Sequence, residues 1–147
     1  MSQKTIKFEI ATPERVVLDK EILQVTVPTT SGEITILPQH IPLISVLKPG
    51  VIELKNLDGA IDVMSVSGGF IEVLRDKVVI LADTAERAEE LDEEKIQAAQ
   101  LRAEEAKKNA ASVDEVQFVE VSVRLERELA RLKALNRWRK LKGTDNR

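Results

Sequence analysis

The chain has 147 residues, with 43% hydrophobic and 32% charged side chains, one histidine and no cysteine. That length allows one compact domain, or a small domain with an appendage. The missing cysteine excludes disulfides, thiolate nucleophiles and cysteine-bound metals, and the net charge of −3 argues against a general nucleic-acid binder.

The opening MSQKTIKFEI lacks the apolar core of a signal peptide, and no run is long enough to span a bilayer. Membrane association is therefore expected to go through a partner. Ile6, Phe8 and Ile10 alternate with Lys7 and Glu9, the pattern of a strand with one buried and one wet face. Residues 22–27 alternate at Val25 and Val27 and stop at Pro28, and the turn cluster 29–32 leads into a strand at 34–36. Residues 32–50 hold three of the five prolines and the only histidine, and read as a short strand, a rigid exposed turn and another strand.

Segments 51–54 and 61–63 flank an Asn-Leu-Asp-Gly turn, and 70–74 and 78–81 flank Arg75, Asp76 and Lys77, giving two hairpins. The strand pattern is complete by Leu81. Strands recurring at this spacing predict an antiparallel β-sandwich or barrel over residues 1–84, of which the β-sandwich is the expected fold.

Composition changes after Asp83, where Ala, Glu, Lys, Arg and Leu take over and proline does not return. Residues 85–147 are predicted to form an antiparallel two-helix hairpin. Asp92 is a good N-cap with Glu93 and Glu94 behind it, and Ala99, Ala103, Ala106 and Ala110 form a small-residue stripe. Ser112 to Glu115 fits a capping box for the second helix. Its apolar line runs through Phe118, Val121, Leu125, Leu129, Leu132, Leu135 and Trp138. The alanine seam buries little area, so the hairpin is expected to open or re-dock.

Charge is segregated along this region. Residues 86–115 carry ten acidic and five basic side chains, and residues 116–147 carry four acidic and nine basic. The arginines at 124, 127, 131, 137 and 139 lie on a helix with one aromatic residue among them, behind an equally acidic helix. An acidic protein surface suits them better than nucleic acid.

No catalytic set emerges. His40 lies between Pro38 and Pro42 with no patterned nucleophile or acid partner. Gly68 and Gly69 precede a strand and lack the Lys-Ser/Thr of a phosphate cradle, so a bulge or a tight backbone approach explains them better. The paired glutamates of the helices read as solvated faces, and no metal-binding spacing is present.

The loop resembles the signature of the epsilon subunit of F-type ATP synthases. Gly32 and Glu33 match its strand entry, Leu37, Pro38, His40, Pro42 and Leu43 its turn, and Leu47, Lys48, Pro49 and Gly50 its close. Further matches run from Val66 to Phe70 and from Val79 to Asp83, so the resemblance covers essentially the whole chain.

The resemblance implies a non-catalytic rotor subunit on the cytoplasmic face of the cell membrane that couples proton flow to ATP synthesis. It implies that the sandwich binds the gamma subunit and the ring of c subunits, with Glu33, Pro38, His40 and Pro42 at that contact. It also implies that Arg124, Arg127 and Arg131 can meet an acidic region of the beta subunits, within the alpha/beta catalytic head, and restrain hydrolysis. No cofactor is implied. Some members bind ATP at the hairpin. Leu91, Asp92, Arg127 and Arg131 match parts of that motif, whereas Lys95 and Ile96 replace an arginine and an alanine, which implies weak ATP binding at most. The residues alone also fit a free-standing regulatory adaptor.

Overall fold

The alternation at the start of the chain becomes a strand whose inward side chains, Ile6, Phe8 and Ile10, are fully enclosed. The computed structural model describes residues 3–110 and 114–145. Among these, ten strands precede two helices. The strands are β1 (Ile6–Ala11), β2 (Val16–Ile22), β3 (Gln24–Thr29), β4 (Gly32–Ile36) and β5 (Leu43–Leu47). They continue as β6 (Gly50–Lys55), β7 (Ile61–Val66), β8 (Gly69–Val73), β9 (Lys77–Ala82) and β10 (Ala85–Arg87).

Hydrogen bonding runs in the order β10-β7-β6-β3-β5-β8-β9-β1-β2, with β4 added to β3. The sheet folds on itself where Thr29 of β3 meets Leu47 of β5. One layer is therefore β10-β7-β6-β3-β4, and the other is β5-β8-β9-β1-β2. Ile6, Phe8, Ile71 and Ile80 from the second layer join Val25, Val27, Ile52 and Leu54 from the first in one buried cluster. Burying side chains of this size contributes about 1.5–3 kcal/mol each, and this cluster holds the sandwich together.

The pairings are antiparallel with one exception. β1 runs parallel to β9, Phe8 opposite Val78 and Ile10 opposite Ile80. Parallel neighbours require a long crossover, and the whole chain between them supplies it. Local alternation carries no mark of strand direction.

Gly69 is a point of close approach, as its sequence context suggests. Its φ is +128°, and a Cβ there would lie 2.1 Å from the carbonyl oxygen of Leu81 on the paired strand. Gly69→Ala is expected to destabilise the chain by about 1–3 kcal/mol through backbone strain alone, with the clash adding to it. A lowered urea midpoint at unchanged m-value would show this.

The sheet extends past the boundary read from the sequence. β10 pairs antiparallel with β7, Ala85 opposite Val66 and Arg87 opposite Met64. A 3-10 turn at Ala88–Glu90 follows, with Ala88 fully buried. Ala-Glu-Arg has no strand propensity worth reading; the open edge of β7 imposes the conformation.

Helix α1 (Glu93–Ala110) begins where expected: Asp92 Oδ1 accepts hydrogen bonds from the backbone N–H groups of Glu94 (3.0 Å) and Lys95 (3.4 Å). Helix α2 (Glu115–Asp145) is capped by Asp114, whose Oδ1 accepts from the N–H of Val116 at 3.0 Å. Ser112 and Val113 of the expected capping box lie outside the described residues.

Ala103 and Ala110 of the small-residue stripe are buried, so the helices approach closely. α2 outruns α1 and lays its second half on β6 and β7. There Ala134 packs with Val63 and Ala88, bordered by Val51, Ile61, Leu91, Trp138 and Leu141. The apolar line read from the sequence is only partly the buried one. Leu135 is enclosed, but Leu129 is 44% exposed while Ala130 beside it is buried. α2 has two neighbours at different azimuths, and small side chains occupy both contacts.

Candidate interaction surfaces

The two layers of the sandwich differ on their outer faces. Among the described residues α2 packs on β6 and β7, whereas neither helix packs over the β5-β8-β9-β1-β2 layer. Strand register places one row of outward side chains across all five strands: Val46 opposite Phe70, Phe70 opposite Leu81, Leu81 opposite Ala11, and Ala11 opposite Val16. Phe70 is 56% exposed, Leu81 59% and Val16 55%. Ile44, in the next row, is also exposed. A contiguous apolar stripe of this kind marks a surface that another protein covers.

The turn after β4 projects a second apolar feature. Leu37 O accepts the backbone N–H of His40 at 3.2 Å, and Gln39 has φ +64°. Pro38 at the second position and a positive φ at the third make this a type II turn. Nδ1 of His40 donates to the carbonyl oxygen of Ile41 at 2.6 Å. This pins the imidazole against the backbone, while Leu37 and Ile41 stand exposed on either side. Glu33 is apart from this knob. It lies on β4, on the outward side, close enough to α2 for its charge to act on Arg137.

Arg124, Arg127 and Arg131 share one face of α2, and that face is turned toward α1. Arg124 and Arg127 line a cleft of about 410 Å³ with Arg102, Ala103 and the buried Glu128. Nε of Arg127 is buried without a hydrogen-bond partner.

Arg131 lines the adjoining cleft of about 460 Å³ with Asp92, Lys95, Arg102, Glu86, Glu90 and Glu128. Its guanidinium is committed. Nε donates to Glu86 Oε1 at 2.8 Å, Nη2 to the same oxygen, and Nη1 to Glu128 Oε1 at 2.7 Å. Asp92 and Lys95 thus share a cleft with Arg131, while Arg127 belongs to the next one, and Asp92 spends an oxygen on capping α1.

Two further ion pairs tie α2 down. Nε of Arg137 donates to Glu53 of β6 at 2.5 Å, and Nη1 of Arg139 donates to Glu93 at 2.6 Å. The hydrogen bond to Glu53, its charge and the field of Glu33 hold the Arg137 guanidinium above its ordinary pKa. Between the two layers, Lys20 of β2 bridges to Asp62 of β7 at 2.5 Å. Burial pushes the Asp62 carboxyl up, but hydrogen bonds from Lys20 and Asn56 and the charges of Lys20 and Arg87 together bring it below its usual value. Among the described residues no cluster of His, Asp and Glu could hold a metal ion, and no helix is long and apolar enough to cross a membrane.

Residues 5–88 match the family model for the ATP synthase delta/epsilon chain, beta-sandwich domain. The ATP synthase epsilon chain of Herpetosiphon aurantiacus is 44% identical over 120 residues, covering 81% of this chain and 87% of the relative. That of Desulforamulus reducens is 41% identical over 131 residues, covering 89% and 97%. This chain belongs to the ATP synthase epsilon family.

As an epsilon chain it is a non-catalytic subunit of ATP synthase. Its fold is similar to a chain in a Euglena gracilis mitochondrial ATP synthase structure of OSCP, F1 and c-ring. The TM-score is 0.78 at 27% identity, covering 89% of this chain and 81% of that one. A Tetrahymena thermophila central stalk and c-ring structure shares the fold alone, with a TM-score of 0.58 at 16% identity over 92% of this chain and 99% of its counterpart.

The family match stops at residue 88, on the buried alanine after β10, so it includes the strand that the sequence pattern omitted. Sequence reading of this epsilon chain also missed Arg102 and the exposed row through Phe70 and Leu81. The row was within reach: residues 70, 81, 11 and 16 become neighbours once strand order is known, but separation along the chain hides them.

Proposed function

We propose that this epsilon chain is a central-stalk subunit whose bare sheet face docks on the gamma subunit, and whose turn around Pro38, His40 and Pro42 reaches the ring of c subunits. Through these contacts it couples proton flow to ATP synthesis, at the cytoplasmic face of the cell membrane. The observation that carries this reading is the uncovered apolar row from Val46 to Val16, on the layer opposite the helices. A layer built to the same rules as its partner, yet left without a helix, fits a surface covered by another subunit. Glu33, on β4 of the covered layer and near Arg137, lies apart from the bare face and joins the c-ring contact only at its rim.

The hairpin is the regulatory part of this reading. Arg124, Arg127 and Arg131 meet an acidic surface of the beta subunits and restrain hydrolysis. All three line clefts along α1 in the docked form, so this contact requires the hairpin to open.

ATP is at most a weak ligand here. The cleft with Asp92, Lys95 and Arg131 also holds Glu86, Glu90 and Glu128. A triphosphate would have to displace Glu86 and Glu128 from Arg131 while Lys95 offers only a point charge.

Co-expression with gamma tests the core of the proposal: a stoichiometric complex is expected, and a chain that purifies alone contradicts it. For the hairpin, reversing Arg124 and Arg127 to glutamate in an assembled, inhibited complex is expected to weaken inhibition. Two exposed charge contacts at about 0.2–1 kcal/mol each correspond to a change of about two- to thirtyfold. The difference should shrink at high salt. Unchanged hydrolysis would remove these arginines from the inhibitory role.

A further inference from the structure

The turn that carries His40 is held at several points. Pro38 and Pro42 fix two of its backbone angles, and the N–H of His40 closes onto Leu37 O at 3.2 Å. Nζ of Lys4, in the segment before β1, donates to Gln39 Oε1 at 3.0 Å. Leu37 is 54% exposed and Ile41 75%, so neither side chain anchors the turn in the core. Both stand outward beside an imidazole that is fixed in one pose.

What that ring can offer a partner follows from the bond it already makes. Nδ1 lies 2.6 Å from the carbonyl oxygen of Ile41. A carbonyl only accepts, so Nδ1 carries a proton. In the neutral ring this leaves Nε2 with a lone pair and no hydrogen. Among the described residues nothing bonds to Nε2.

We propose that His40 recognises the c-subunit surface as a neutral hydrogen-bond acceptor. Nε2 receives an N–H or O–H of a c subunit, between apolar contacts from Leu37 and Ile41. This rests on the reading that the turn meets the c ring, and it adds a selection rule to that reading. A carboxylate at the same place would face the lone pair and be repelled, so the ring surface has to present a donor there. The imidazole is ordered before contact, so little further freedom is lost when the bond forms.

The chain has a single histidine, so its ring nitrogens are unambiguous in a nitrogen-15 spectrum. Long-range proton–nitrogen correlation on the full chain at neutral pH is expected to show a protonated Nδ1 and a bare Nε2. A proton on Nε2, alone or in addition, would overturn the proposal.

Binding of the complex with gamma to purified c ring tests the partner's side. His40→Leu is expected to weaken binding about two- to tenfold, the worth of one net hydrogen bond. His40→Gln keeps an acceptor oxygen near the position of Nε2 and should retain most of the affinity. His40→Lys offers donors only and should bind no better than the leucine variant. The acceptor role is overturned if leucine binds as tightly as histidine, if glutamine is as weak as leucine, or if lysine binds more tightly than leucine.

Leu37→Asp with Ile41→Asp separates this inference from the reading beneath it. Ring binding lost in that variant while the His40 series is unchanged removes the acceptor and keeps the turn at the ring. Unchanged binding in every variant removes the contact itself. Both positions are exposed, so far-UV circular dichroism should show the original fold throughout.

Discussion

Replacing Phe70 and Leu81 with aspartate is expected to abolish assembly with the gamma subunit while the isolated chain stays folded. The two residues are register partners on β8 and β9 and point away from the core. In the isolated chain their side chains already meet water, at 56% and 59% exposure. Aspartate there costs a modest strand-propensity term, within about 1 kcal/mol per site, and a like-charge repulsion across the pair of about 0.2–1 kcal/mol.

In the complex the same change has two larger effects. The apolar burial of two large side chains is lost, about 1.5–3 kcal/mol each, and two carboxylates are desolvated without a partner. The first effect alone lowers affinity by about a hundredfold to ten-thousandfold. Co-expression with gamma followed by affinity capture reads the loss, and far-UV circular dichroism of the isolated variant checks the fold. Capture at the original level would show that the bare face is not the docking face.

Much of the architecture was legible because its causes are local. Period-two alternation at Ile6, Phe8 and Ile10, the turn residues between hairpins, and Asp92 ahead of a run of helix formers each act over a few residues. The rigid turn at Pro38, though not its type, and the unusual backbone at Gly69 were legible for the same reason, since proline and glycine fix or free single dihedrals.

Features set by distant partners were hidden. β10 is a strand because β7 has an open edge, and β1 lies parallel to β9 because of the global winding of the sheet. Which face of α2 is buried depends on two neighbours that its own periodicity does not reveal; Leu129 fits the apolar line and is exposed, whereas Ala130 and Ala134 break no pattern and are enclosed. The arginines were visible as charges, but not their commitment to Glu86, Glu128 and Glu53.

That hidden strand decides where the chain can be cut. A chain ending at Glu90 is expected to fold as an independent sandwich, and one ending at Asp83 to be less stable by about 2–5 kcal/mol. Up to Glu90, β10 still closes the edge of β7 and Ala85 stays with the sandwich core, whereas Ala88 loses its cover from Ala134. Ending at Asp83 removes the bond from the N–H of Ser67 to the Thr84 carbonyl and the 2.6 Å hydroxyl contact between Thr84 and Ser67, along with the β10 ladder. Each net hydrogen bond contributes about 0.5–1.5 kcal/mol, and the buried Ala85 methyl adds about 0.8 kcal/mol.

Against a total of about 5–15 kcal/mol for a domain, that loss is a large share. Both truncations expose Val51, Ile61 and Val63 by removing α2, so this common term cancels in the comparison. Urea unfolding followed by circular dichroism separates the two chains. Equal midpoints would mean that β10 belongs energetically to the hairpin and that the sandwich ends at β9.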